Sequence, residues 1–183
     1  MKDLMRKKTV ISIETEELLN NQVALEAKAS SKYLAMASWC DTHGYENAAE
    51  YFYAQSEEER MHMLKIFHYI NDMGGTAISP AIEAIDANFI SFRDVFEISL
   101  DSEIIVTKAI NHIVDKAKSE KDYSTEQFLQ WFVQEQREEE MKARRAVELF
   151  DLLGEEKLAL FMIDERIGKM ITPAGAADSE PAA

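Results

Sequence analysis

The sequence predicts an all-α fold: a four-helix bundle with a long crossover between the second and third helices and a short fifth helix. Three observations predict it. Only six glycines and three prolines occur, and residues 46–73 and 91–120 contain neither, which favours long helices over sheets. Apolar residues recur in alternating steps of four and three, the spacing of a seam that faces a bundle. The stretch that breaks this period, residues 76–90, contains Pro80. Fully extended at ~3.3 Å per residue it reaches about 50 Å, against about 42 Å for the second helix. It can therefore travel the whole bundle length.

The first helix is expected from Ser12, an N-cap, to His43, with Gly44 as its stop. Its inward stripe reads Leu19, Gln22, Glu26, Ala29, Tyr33, Ala37, Cys40. The second runs from Glu46 to Met73, before Gly74-Gly75, with Ala48, Phe52, Gln55, Glu59, His62, Ile66, Tyr69 and Met73 inward. The third opens on Ser91-Phe92-Arg93-Asp94, a capping box with Asp in place of Glu. Its stripe is Phe96, Ser99, Glu103, Val106, Ile110, Ile113, Ala117. The fourth opens on a capping box at Ser124-Thr125-Glu126-Gln127 and closes at Gly154. Leu129, Phe132, Gln136, Glu139, Ala143, Ala146, Phe150 and Leu153 face inward on it. The fifth, from Glu155 to about Met170, carries Leu158, Phe161, Met162, Glu165 and Ile167.

The organisation read from this is a basic N-terminal extension at 1–11, expected to be flexible, one helical domain at 12–170, and a Pro/Ala-rich tail at 171–183, expected to be disordered. An apolar fraction of 46% is ample for a core. The net charge of −14 disfavours a nucleic-acid partner and suits a surface or cavity that attracts cations. A single cysteine, Cys40, excludes an internal disulfide and favours a reducing compartment. No signal-peptide pattern follows the basic start, and no run approaches the roughly 18 apolar residues of a membrane span. The expected location is cytoplasmic.

The seams hold the chemistry. Glu59 and His62 lie one turn apart where apolar side chains belong, and a bare carboxylate there costs several kcal/mol unless paired or metal-bound. Glu-x-x-His on an inward helix face is how carboxylate-bridged di-iron and di-manganese bundles hold their metals. Glu26, Glu103, Gln136 and Glu139 interrupt the other three seams. Each lies about 12 to 17 residues from the turn joining its helix pair, so at ~1.5 Å per residue the members of each hairpin agree in height within about a turn. Oxygen ligands with one imidazole suit Fe or Mn. Four carboxylates offset much of the charge of two divalent ions.

From Ser12 to about Met170 the chain resembles the bacterial non-haem ferritins. The segments that carry the resemblance are Leu25-Glu26, Ser38-Trp39-Cys40, Glu58-Glu59-Arg60-Met61-His62-Met63 and Phe128 through Glu140. The resemblance implies a ferroxidase and iron store. Glu26, Glu59 and His62 would hold a first iron, Glu59 would bridge, and Glu103 with Gln136 would hold a second, with Glu139 close by. A third position would be formed by Glu58, Glu135, Glu138 and Glu139. Tyr33 and Trp131 match redox-active aromatics beside the site; from the residues alone both read as core aromatics. Fe(II) would be oxidised by O2 or H2O2 and stored as a ferric mineral in a homo-oligomeric cage of twenty-four subunits. The fifth helix would line a symmetry axis, and Leu34 and Trp39 would be covered by neighbouring subunits.

Bacterioferritins and rubrerythrins repeat Glu-x-x-His on the last helix, whereas Gln136-x-x-Glu139 stands here, which implies a more weakly held second metal. Haem-binding relatives carry Met immediately after the bridging Glu; Arg60 stands there, so no haem is expected. Two other readings fit a bundle of this kind: a di-iron or di-manganese oxidase without storage, and a non-catalytic structural bundle.

Overall fold

In the computed structural model, which describes residues 9–171, α1 spans Ile13–Thr42, α2 Glu46–Asp72, α3 Phe92–Glu120, α4 Tyr123–Leu153 and α5 Lys157–Ile167. A 3-10 turn, Gly168–Met170, continues α5. No strand occurs among the described residues. The all-α bundle with a long connection and a short fifth helix is as expected.

Local capping sets most boundaries. Ser12 Oγ accepts from Thr15 N at 3.0 Å at the start of α1. Ser91 Oγ accepts from Asp94 N at 3.1 Å at the start of α3, while Asp94 reaches back to Ile90 N at 3.0 Å. The expected capping box at Ser124 is corrected. The N-cap of α4 is Asp122, whose Oδ1 accepts from Thr125 N at 3.1 Å. Because α3 ends at Glu120, only Lys121 and Asp122 join the helices, and the helix has already begun at Ser124. Two seams also drift. Ile70 and Leu149 are buried, whereas Tyr69, Met73 and Leu153 are only partly covered. An alternating four-three seam averages 3.5 residues and slips around a 3.6-residue helix near its ends.

The N-terminus of α2 has no cap of its own, since Tyr45 offers no side-chain hydrogen bond. Asp164 of α5 supplies one from 116 residues away: Oδ1 accepts from Ala48 N at 2.8 Å, and Oδ2 from Asn47 Nδ2 at 2.9 Å. The carboxylate also meets the positive end of the α2 dipole. Asp164 is only 6% exposed, and the buried face of α5 is Ile163, Asp164 and Ile167. Leu158, 72% exposed, and Phe161, 62% exposed, point away from the bundle.

Residues 74–90 form the crossover. It leaves α2 at Gly75, where a Cβ would come within about 3 Å of Glu16 and Ile11 side-chain atoms. Asn20 then holds it on both sides, donating to Thr76 O at 3.1 Å and accepting from Ile78 N at 2.8 Å. It ends with Phe89 edge-on to Trp39, ring centroids 6.3 Å apart. Asn20 and Trp39 lie near opposite ends of α1, roughly 28 Å apart at the helical rise. The connection therefore crosses the bundle, and α2 and α3 run parallel. Of the 1–11 extension, residues 1–8 lie outside the described residues. Thr9 donates to Met73 O at 2.9 Å and Ile11 is 3% exposed, so the packed chain begins ahead of the Ser12 cap. Residues 172–183 of the expected tail also lie outside.

Two apolar clusters make the core. One joins Tyr33 to Cys40, Ala48 to Phe52, Phe92 to Phe96 and Ala146 to Phe150 with Ile163 and Ile167. The other joins Leu19, Val23, Ile66, Ile70, Val106 to Val114, Leu129 and Phe132. Between them lies a polar layer. Leu34 is exposed, whereas Trp39 is partly covered within the chain, stacked on His43 at 3.9 Å.

Asp164→Ala should destabilise the protein by about 1–2 kcal/mol through loss of the α2 cap. The check is a lower urea midpoint at unchanged slope. Replacement of the exposed neighbour Glu165 by Ala should stay within about 0.5 kcal/mol.

Candidate metal centre

The polar layer is built from one or two turns of each long helix. α1 contributes Gln22 and Glu26, α2 Gln55, Glu59 and His62, α3 Ser99 and Glu103, and α4 Glu135, Gln136 and Glu139, all buried. Ligand atoms of Glu26, Glu59 and His62 lie within 4.8 Å of one another. His62 Nδ1 is 3.3 Å from Glu59 Oε2. Gln22 Nε2 donates to Glu26 Oε1 at 2.8 Å and so aims that carboxylate. Across the layer, Glu103 accepts from the Tyr33 hydroxyl and, at 3.0 Å, from Gln136 Nε2.

Among the described residues, four buried side-chain oxygens have no hydrogen-bond partner: Gln22 Oε1, Glu26 Oε2, Glu59 Oε1 and Thr107 Oγ1. The first three belong to this layer. Orphaned buried acceptors carry an unrecovered desolvation cost, and a hard cation would satisfy them. The donor set thus fits Fe or Mn ions.

Electrostatics agree. Burial, reinforced by the carboxylate of Glu59, raises Glu26 well above the usual carboxylate range. Glu59 is raised likewise, by burial and then by Glu103. Glu103 is raised by burial and partly relieved by the Tyr33 and Gln136 hydrogen bonds. Burial and the adjacent Glu103 push the Tyr33 hydroxyl upward too. Each of these carboxyls is thus harder to ionise than a solvated one, a penalty that a bound cation would offset.

A second group opens toward the surface. Glu58, His62 and Glu135 bring ligand atoms within 4.8 Å of one another, so His62 belongs to both groups. Glu139 sits beside them, but both its oxygens are taken. Gln55 Nε2 donates to Oε2 at 2.9 Å, and Lys142 Nζ lies 2.7 Å from Oε1. Burial raises the Glu139 pKa from 4.5 to about 7 despite Lys142. Burial opposes the charge on Lys142, yet its pKa is raised, because Glu139, Glu58 and Glu135 all attract it. Glu138 is half-buried and joins neither group of ligand atoms. The Trp131 ring stands edge-on to His62 at 5.4 Å, with Lys65 Nζ 3.7 Å from its centroid.

Sequence reasoning placed all the carboxylates of this layer and missed Lys142. The available signal was its spacing, three residues past Glu139 and so beside it on the helix.

Four helices with a crossover, enclosing a carboxylate and histidine layer, define the class of ferritin-like bundles. Residues 16–153 match the ferritin-like domain, and the chain belongs to that family. It is 39% identical over 165 residues to a "Probable bacterial non-heme ferritin-like protein" of Haemophilus influenzae, covering 90% of this chain and all of that protein. It is 37% identical over 158 residues to the "Bacterial non-heme ferritin" of Campylobacter jejuni, covering 86% of this chain and 95% of that one. Among solved structures, an open pore ferritin from Archaeoglobus fulgidus superposes with a TM-score of 0.84 at 37% identity, over 86% of this chain and 96% of that chain.

The raised carboxyls fix a pH dependence. A carboxyl whose pKa is raised on folding contributes stability that is complete below its unfolded value and is lost as pH rises through the folded one. For Glu139 that window runs from 4.5 to about 7. The melting temperature of the metal-free protein should therefore fall across this range, and saturating Zn(II) should reverse the fall. Zinc uptake should release more protons at about pH 6 than at about pH 8, measured by calorimetry in buffers of different ionisation enthalpy.

Proposed function

We propose that this protein is an iron store with ferroxidase activity, working as a closed homo-oligomeric shell of about twenty-four subunits in the cytoplasm. The observation that carries the reading is the buried layer of Glu26, Glu59, His62 and Glu103 with its orphaned oxygens. Fe(II) is the substrate. Glu26, Glu59 and His62 hold the first ion, and Glu59 spans to a second held by Glu103 and Gln136. The Gln136 amide, now donating to Glu103, presents its oxygen after a flip. Each Fe(II) yields one electron, so a pair supplies the two electrons that, with two protons, convert O2 to H2O2. H2O2 accepts two further electrons, with two protons, to give water. Gln22 and Tyr33 orient the carboxylates, Tyr33 through the hydrogen bond its hydroxyl donates to Glu103. Glu58, Glu135, Glu138 and Glu139 form an outer oxygen-rich position toward the store. The bacterial non-heme ferritin names of the relatives and the ferritin fold of the structural neighbours support storage over a stand-alone oxidase.

His62→Ala should slow the fast phase of Fe(II) oxidation at least about tenfold with helix content unchanged. Stopped-flow absorbance on the assembled protein checks it, and a wild-type rate would exclude the assignment. Light scattering should give a mass near twenty-four times the 20.9 kDa chain; a monomer or dimer at physiological salt would exclude the shell.

A further inference from the structure

Lys142 stands in the place where the outer position needs a cation. Its side chain is only 14% exposed and its ammonium lies 2.7 Å from Glu139 Oε1. Glu139 differs in this from Glu26 and Glu59, which keep an unpartnered oxygen; both Glu139 oxygens are held, by Gln55 and Lys142. The ammonium is also attracted by Glu58 and Glu135, the two acids that converge on His62. On its other side Lys142 lines a surface cavity of about 390 Å³ with Met141, Arg144, Arg145, Glu148 and Met170. A lysine on a flexible four-carbon stem can turn into that cavity.

We propose that the Lys142 ammonium is a resident cation of the outer position, which a metal ion must displace before it can bind Glu139. This rests on reading the layer as an iron site, and it assigns Lys142 as a positioning residue that regulates the outer position. The charge balance follows directly. With no metal, the cluster keeps one positive charge beside Glu139, the Lys142 ammonium 2.7 Å from Oε1. An arriving divalent ion brings two charges and oxygen-seeking coordination, takes the carboxylate, and sends the ammonium outward. His62, which binds metal but gains nothing from a neighbouring ammonium, biases the exchange toward the metal.

The test uses the whole assembly and Zn(II), which does not undergo redox. Calorimetry gives affinities, and anomalous diffraction from zinc-soaked crystals assigns them to positions. Lys142→Met keeps the stem and removes the charge. It should tighten zinc at the Glu58–Glu135–Glu139 position at least about tenfold, since the competing ion pair is gone, and leave the Glu26–Glu59–His62 position within about twofold. Lys142→Arg should behave like the native residue. Unchanged or weaker outer binding in Lys142→Met would overturn the proposal, because a lysine that merely orients Glu139 would leave the site worse when removed. A second measurement needs no variant. In native crystals soaked at rising zinc, Lys142 should leave Glu139 in step with the outer anomalous peak, and an intact Lys142–Glu139 pair beside a filled outer peak would refute displacement. Absence of zinc at Glu26, Glu59 and His62 would instead count against the proposed function, and the outer peak would still report on Lys142.

Discussion

The bundle depends on burying a layer of acids at mid-height without losing the fold. Glu26, Glu59, Glu103, Glu135 and Glu139 are all buried; without metal they mutually repel or stay protonated. Isolated charges in such a place are expensive, and polar layers seldom add net stability. The two apolar clusters on either side supply what the layer lacks. Each draws on all four long helices, so the helices stay in register above and below the centre. The ligands are thus held by packing that does not itself involve them.

Within the layer, the acids are kept apart by what partners them. Gln22 aims Glu26, Tyr33 and Gln136 hold Glu103, and Gln55 with Lys142 holds Glu139. Glu59 lacks such a neutral partner on one oxygen, and it lies beside Glu26 and His62 in the cluster that could hold a metal ion. Neutral amides and a phenol serve where a carboxylate must be steered without being neutralised. A lysine appears only where the layer opens toward solvent, and there a charge is cheaper to keep.

Most of this was legible in the residues because a bundle writes its interior as a seam. Glu26, Glu59, His62, Glu103, Gln136 and Glu139 each replace an apolar residue at a seam position, which is a strong signal. The crossover was legible from length and Pro80. Features set by distant partners were not. Asp164 looks like an ordinary acid in a short helix until α5 folds back to cap α2. Asp122 outcompetes Ser124 as the cap of α4 because α3 ends two residues earlier, and no local rule gives that end without a glycine. Lys142 sits off the seam, and although Glu139 is one turn away on the same helix, Glu58, which also attracts it, comes from α2.

The crossover also divides the candidate ligands by hairpin. α1 and α2 together carry Glu26, Glu59 and His62, while α3 and α4 carry Glu103, Gln136 and Glu139. One half of the chain thus carries a complete cluster of three candidate ligands, and the other carries groups that join it only on docking. Residues 74–90 run along α1 between the halves. A metal held between the halves acts as a clasp that reports on their alignment: a slip of one helical turn, about 5.4 Å, would leave the first triad intact and the pair broken.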